Sequence, residues 1–322
     1  MLSRHAESLF WTGRYVERAS DTARMLDVTY HGLLESPAAE SRRAWLDLLD
    51  VLHLRVDFQK HHEIVSAAAV SEYLVLDASN PGAIVPSVER ARENARTVRE
   101  LISTELWESL NTYRLELLAR DLHDDLAEQP SELYGLVKRR CQAVAGTADE
   151  TMAHDDGWRF LMLGWMLERA EMTCRLLNVR LARYSRGPDE LNFHHALQLL
   201  KSASALEAFR KAHSASMTPV HVVEFLLLSP TFPRSVIYCL RSAEEMLAEL
   251  GVPGRLTRSE RALGRLRADL EFVEVVELMA GRLDDFLDDV SEGVRRVSEL
   301  VGIQFFRNAE EFASLQSLHT AV

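Results

Sequence analysis

Cysteine is nearly absent from this chain: Cys141, Cys174 and Cys239 are the only thiols in 322 residues. They lie far apart without CxxC spacing, so neither a disulfide framework nor a zinc knuckle can be built from them, and they read as buried thiols in a reducing compartment. Glycine and proline are scarce, 14 and 9. No Gly-rich loop is available to cradle phosphate, and nucleophile elbows and HExxH runs are missing. Basic charge is in deficit too. A net charge of −12 and a pI near 5.5 leave no basic stripe to neutralise phosphates, which argues against nucleic acid and anionic membrane as partners. No apolar run is long enough to span a bilayer, and the residues after Met1 lack the basic and apolar regions of a signal peptide, so a cytoplasmic location is expected.

What is there is apolar residue at helical period. The chain is 47% hydrophobic, enough for a continuous core. Its breakers fall in clusters, Gly32 to Pro37, Pro81 to Pro86, Gly187 and Pro188, Ser229 to Pro233, and Gly251 to Gly254. From Ser87 to Gln129 there is neither Gly nor Pro, and Val88, Ala91, Ala95, Val98, Ile102, Leu106 and Leu110 recur at three and four, which predicts one long helix or two joined at a bend. No segment alternates at period two between hairpin turns. The fold class is therefore all-α, with about eleven or twelve helices and N-cap candidates at Ser3, Ser131, Asp189 and Thr231.

The chain also repeats itself. An offset of 151 lays residues 164–179 on residues 13–28 with eight of sixteen identical, where chance gives about one. Trp45 to Leu49 falls on Ala196 to Leu200 in the same register, and one residue more brings Glu72 to Leu76 and Pro81 onto Glu224 to Leu228 and Pro233. A weaker match, at an offset of 164, pairs Asp121–Glu128 with Asp285–Glu292. We expect a single domain of two units, 1–152 and 153–322, packed as pseudo-symmetric halves of one bundle, so that equivalent residues meet near the axis.

The repeat carries Glu17 and Arg18 in one copy, Glu168 and Arg169 in the other. On a wheel Trp11, Tyr15, Ala19, Thr22 and Leu26 share a face, with Arg18 at its edge and Glu17 turned away beside Arg24. Around Glu168 nearly every angle is apolar, the pattern of a helix buried all round, so its charges need partners. Arg175 is within reach of Glu168, and a carboxylate on another helix is expected for Arg169. Two readings stay open. The pairs are ionic locks between the units, or they line a charged cleft in which Arg18 and Arg169 fork onto a carboxylate or phosphate while Glu17 and Glu168 hold a basic group or a proton.

Leu2 to Glu7, Trp11 to Ala19 with Arg14, Tyr15, Glu17 and Arg18, and Gly164 to Ala170 resemble the bacterial alpha-E family, named for its helices and its Glu-Arg signature. The likeness extends along the chain through Ser103 to Asn111, Phe225 to Leu228 and Pro233 to Ser235. It implies no established activity. It does imply a neighbourhood, since members are encoded beside or fused to circularly permuted ATP-grasp proteins and often near transglutaminase-like proteins, which points to peptide or amide-bond chemistry. No ATP site is visible in the present residues, so any ligation energy must come from such a partner.

Other groups have a functional and a plain reading. Trp107, Glu108 and Asn111 could line a pocket, with indole stacked on ligand and amide orienting it, or they are a buried Trp and a backbone-bonded Asn. Arg234 and Ser235 after Pro233 could make an anion site at a helix start, or a simple cap. The acidic clusters of 121–128 and 285–292 could hold Mg²⁺ or a basic partner, but read as solvated faces. Twelve histidines invite a metal search at His61, His62 and Glu63 and at His194 and His195. Adjacent histidines diverge on a helix, and Asp50 before His53 is the only relative of a di-iron motif, so no metal or cofactor is expected. The reading is an accessory or binding subunit of an ATP-grasp-linked system that takes a peptide or amino-acid-like ligand near Arg18, Glu168 and Arg169. The rivals are an enzyme with Glu17 or Glu168 as general base, and a purely structural adaptor.

Overall fold

A computed structural model describes residues 1–33, 38–181, 189–213, 217–251 and 254–306. Among these residues the chain forms sixteen helices and no strand. They are α1 (Ser3–Gly32), α2 (Ala38–Val51), α3 (Arg55–His61), α4 (Ala67–Val75), α5 (Ile84–Thr97), α6 (Thr104–Leu118), α7 (Leu122–Glu128), α8 (Pro130–Thr151), α9 (Asp156–Leu181), α10 (Asp189–Ser202), α11 (Leu206–Ala212), α12 (Pro219–Leu228), α13 (Val236–Leu250), α14 (Arg258–Glu271), α15 (Val275–Met279) and α16 (Leu283–Phe305). The all-α expectation holds. No described helix is long and apolar enough to cross a membrane.

The helix count exceeds the expected eleven or twelve for two physical reasons. Four helices, α3, α7, α11 and α15, have seven residues or fewer, too short to establish a period. The stretch from Ser87 to Gln129 is three helices, because side chains end what backbone propensity would continue. Ser103 Oγ accepts from Leu106 N at 3.1 Å and starts α6, and Asp121 Oδ1 accepts from His123 N and Asp124 N at 3.2 Å and starts α7. Caps also sit where they were not expected. Leu2 and Gln129, without side-chain bonds, precede α1 and α8, rather than Ser3 and Ser131 acting as caps. Ser235, not Thr231, caps α13. Residues 182–188 before Asp189 lie outside the described residues.

Lengths and offsets of the first eight helices run parallel to those of the last eight. The likeness extends to backbone conformation: α2 ends with His53 at φ 58° and α10 with Ser204 at φ 50°, 151 positions apart. Both ends close alike, with Leu54 N on Leu49 O at 2.8 Å and Ala205 N on Leu200 O at 2.7 Å, the Schellman pattern in which a left-handed residue satisfies orphan carbonyls. His53 is therefore a helix terminator. Element order also corrects the weaker sequence match, since residues 121–128 end in α7 and residues 285–292 lie within α16, whose counterpart in order is α8.

Two compact units divide the chain, Met1–Trp165 with Gly302–Val322, and Met166–Val301. In the first, α1 lies against α5 and α8, with α6 on both of these. From Leu9 to Leu26 every residue of α1 is buried except Arg18. The helix is thus covered on the face that carries Glu17 and Arg24 as well as on that of Trp11 and Tyr15. In the same unit α1 meets the first turns of α9 with backbones nearly touching. A Cβ on Gly13 would stand 2.1 Å from Leu161 O, and one on Gly164 would stand 2.0 Å from Phe10 O. In the second unit α13 lies on α14, and α12 contacts α10, α13 and α15.

Candidate functional site

Four of the charges on α1 fall at 14, 17, 21 and 24, a spacing of three and four that places them along one stripe. All are buried: Arg14 is 2% exposed, Glu17 1%, Asp21 6% and Arg24 4%. Charges this deep survive only in company. Arg24 pairs with Asp21, three residues back, and its Nη2 donates to Ser20 Oγ at 3.1 Å. Glu17 accepts from the indole N–H of Trp165. The Arg14 guanidinium sits 5.8 Å from the Phe10 ring and 5.7 Å from Trp11, which stacks on Tyr15 at 5.5 Å. Glu168, Glu171 and Arg175 of α9 are likewise buried. Arg175 Nη2 bonds Glu171 at 2.5 Å, so the within-helix partner is Glu171, one turn nearer than the Glu168 expected from sequence.

A buried thiol lies near the same stripe. Burial pushes Cys141 up to about 12, against the lowering pull of its hydrogen bond with Tyr113 Oη at 3.8 Å, while Glu17 and Asp21 add to the rise. Burial also raises Cys174. All three cysteines are buried thiols outside any disulfide. Thiolates are the reactive form, so native protein at about pH 8 should resist iodoacetamide and label fully only in denaturant, as intact-mass spectrometry would read. Rapid labelling of Cys141 in the native state would contradict the burial of this stripe.

The signature arginines lie beside proline turns. Arg18 lies over Tyr15 at 6.0 Å, and its Cδ stands 3.6 Å from where a Gly82 Cβ would be. Arg90 joins from α5, 5.8 Å from Tyr15, and donates to Pro81 O at 2.9 Å. In the second unit Arg169 itself donates to Pro233 O at 3.1 Å, and Thr173 Oγ1 to Arg234 O at 3.1 Å. In the second unit α9 is thus bonded to the proline turn that precedes α13, whereas in the first the bond to the turn comes from α5 and Arg18 packs beside it. Arg169 thus meets a backbone carbonyl of another segment.

The remaining candidates do not form one site. Glu108 is exposed, while Trp107 and Asn111 are half-buried. Arg92, which sequence reasoning missed, covers the indole at 4.9 Å and donates to Asn111 Oδ1 at 3.3 Å, and Arg99 stands 5.8 Å from the same ring. The face meant for a ligand is occupied by the protein's own guanidinium groups. Ser235 is fully buried; its Oγ donates to Ser229 O at 2.5 Å and accepts from Tyr238 N at 3.2 Å. Its hydroxyl is engaged in capping, and Arg234 is half-buried beside it. In the acidic clusters Asp125 binds Arg120 and Asp288 accepts from Asn178. Among the described residues no group of three or more His, Cys, Asp or Glu could hold a metal.

A concave site lies elsewhere. In the second unit a cleft of ≈ 770 Å³ runs between α11, α12 and the turn before α13, lined among others by Lys211, His213, Glu224, Phe225 and Phe232. The Phe225 and Phe232 rings lie 5.0 Å apart, and His213 stacks on Phe209 at 4.8 Å. Its residues come from scattered positions, apolar and polar; the one sequence signal was the change of side-chain type between repeats in the segment before Pro233.

The chain was also compared with known proteins. An uncharacterised protein of Mycobacterium bovis and one of Mycobacterium tuberculosis are each 26% identical over 306 residues, covering 88% of this chain and 34% of theirs. The chain thus spans about a third of the length of these curated relatives. No solved structure matches. The model of the Alpha-E family, described as a predicted alpha-helical domain with a conserved ER motif, matches residues 1–306. With Glu17 and Glu168 buried, Arg18 beside Tyr15 and Arg169 bonded to the Pro233 turn, the chain belongs to the Alpha-E family.

Proposed function

We propose that this protein is a non-catalytic accessory module of a cytoplasmic, ATP-dependent peptide- or amide-bond-forming system, acting beside a circularly permuted ATP-grasp protein, with a transglutaminase-like protein as a third member. Its ligand is a peptide or amino-acid-like molecule. The observation that carries this reading is the internal use of the signature charges: Glu17 accepts from Trp165, and Arg169 donates to the Pro233 carbonyl. A carboxylate only 1% exposed cannot reach a substrate proton as a general base, because catalytic proton transfer needs direct or one-water contact. The signature therefore frames the module. A second support is size, since the matched segment is 34% of each mycobacterial relative, as suits a module working with other domains.

The test is co-purification with the neighbouring ATP-grasp protein, followed by an ADP-release assay with and without this chain. Arg169→Lys should lower the melting temperature by several degrees, since lysine lacks the guanidinium fork, yet leave the stimulation of ADP release intact below the transition. Retained stability with lost stimulation would return the arginine to a ligand role. Failure to co-purify or to alter ADP release would overturn the accessory reading.

A further inference from the structure

The two repeats differ in chemistry around the cleft of the second unit. In the register of the repeat, Asp57, Lys60, His62, Tyr73, Asp77 and Asn80 correspond to Ala208, Lys211, His213, Phe225, Ser229 and Phe232. In the first copy polar groups close this region. Lys60 Nζ is bonded to Asp57, and His62 Nε2 lies 4.0 Å from the Asp77 carboxylate. Asn80, fully buried, donates to Tyr73 O at 3.1 Å and accepts from Gly82 N at 3.0 Å, pinning the turn.

Each replacement removes a closing group. Ala208 takes the carboxylate away from Lys211, Ser229 takes it away from His213, and Phe232 stands where the amide held the turn. All three residues line the cleft. Lys211 and Glu224, both exposed, also line it, and neither has an ion-pair partner among the described residues. The result is an aromatic floor, with Phe225 and Phe232 inclined at 33°, under a rim that carries one cation and one anion.

We propose that this cleft binds a zwitterionic amino acid or short peptide with an aromatic or other large apolar side chain. The side chain lies on Phe225 and Phe232, the carboxylate faces Lys211, and the ammonium faces Glu224. A phosphate or nucleotide would meet a single lysine and be repelled by Glu224; a plain hydrocarbon would leave both rim charges unanswered. The volume falls within the range of small-molecule sites, roughly 300–1,000 Å³. The proposal deepens the accessory reading by naming its ligand class. Its test needs no partner protein, so it can fail while the ATP-grasp association stands, or succeed where that association fails.

The experiment titrates the full chain with the dipeptide Ala-Phe and with doubly blocked N-acetyl-phenylalanine amide, by calorimetry and ligand-observed NMR. Ala-Phe should bind, and the blocked analogue should bind at least about tenfold more weakly, having lost the charges that make charge-assisted bonds. Ala208→Asp and Phe232→Asn, which install the first-copy residues, should each weaken Ala-Phe by about tenfold. Lys211→Ala and Glu224→Ala should do the same without changing the melting temperature, since both side chains are exposed. Lys60→Ala should leave binding unchanged. Absence of Ala-Phe binding, or binding indifferent to Lys211→Ala and Glu224→Ala, would overturn the proposal.

Discussion

Gly13→Ala and Gly164→Ala should each destabilise the protein by about 3 kcal/mol or more, although alanine favours a helix over glycine by about 1 kcal/mol. Both glycines lie within long helices at ordinary helical angles. A single methyl is the whole change, and it lands on backbone: 2.1 Å from Leu161 O in one case and 2.0 Å from Phe10 O in the other. A carbonyl cannot swing aside as a side chain does, so α1 and the start of α9 must separate by on the order of 1 Å, and close-packed neighbours lose contacts along the seam. Phe10 and Leu161 are themselves 151 positions apart, so the two glycines face repeat-equivalent carbonyls. Gly146 in α8 supplies the control. A Cβ there meets nothing within 4 Å, so Gly146→Ala should raise stability by about 0.5–1 kcal/mol. Urea midpoints at unchanged slope read all three. Wild-type stability in Gly13→Ala would mean that the helices do not cross this closely.

Much of this fold was legible in the residues, and the illegible parts share a cause. The helical class followed from period and from the lack of alternating strands, and burial all round was visible for α9 because apolar residues fill the angles around Glu168. For α1 it was hidden. Arg14, Glu17, Asp21 and Arg24 look like a solvent face to any hydrophobicity pattern, yet each is under 10% exposed. Pattern reading assigns charge to water; only three-dimensional neighbours show that Trp165 or Asp21 has taken water's place. The same limit applies to Trp107. Its spacing with Asn111 on one helix was plain, but the arginine that covers both comes from α5, 19 positions before Asn111. Short helices escaped because one or two turns carry no period. The cleft escaped because it is defined by what the second copy lost, an absence visible only against the first copy's bonded turn.

The buried stripe itself gives the other large effect. Asp21→Ala should cost about 3–5 kcal/mol, the usual result of stranding one member of a buried ion pair. Arg24 and Asp21 have side chains 5% and 8% exposed, so the guanidinium cannot recover its lost partner from bulk water. The cost is that of an uncompensated charge rather than the worth of the bond, and the double variant separates the two. Removing both charges in Asp21→Ala with Arg24→Met should destabilise by clearly less than the sum of the single changes, a coupling of about 1–3 kcal/mol. Glu171→Ala should behave alike in α9, where Glu171 and Arg175 are 7% and 9% exposed. An exposed pair sets the scale: Arg96 and Glu93, 57% and 52% exposed, should yield no more than about 1 kcal/mol. Denaturant midpoints of the three single changes rank them. If Asp21→Ala falls with the exposed pair, water reaches Arg24, and a stripe open to water could again be offered to a ligand. If it falls with Glu171→Ala, the charges that flank the Glu-Arg signature hold the long helices in place, and recognition has to occur outside them.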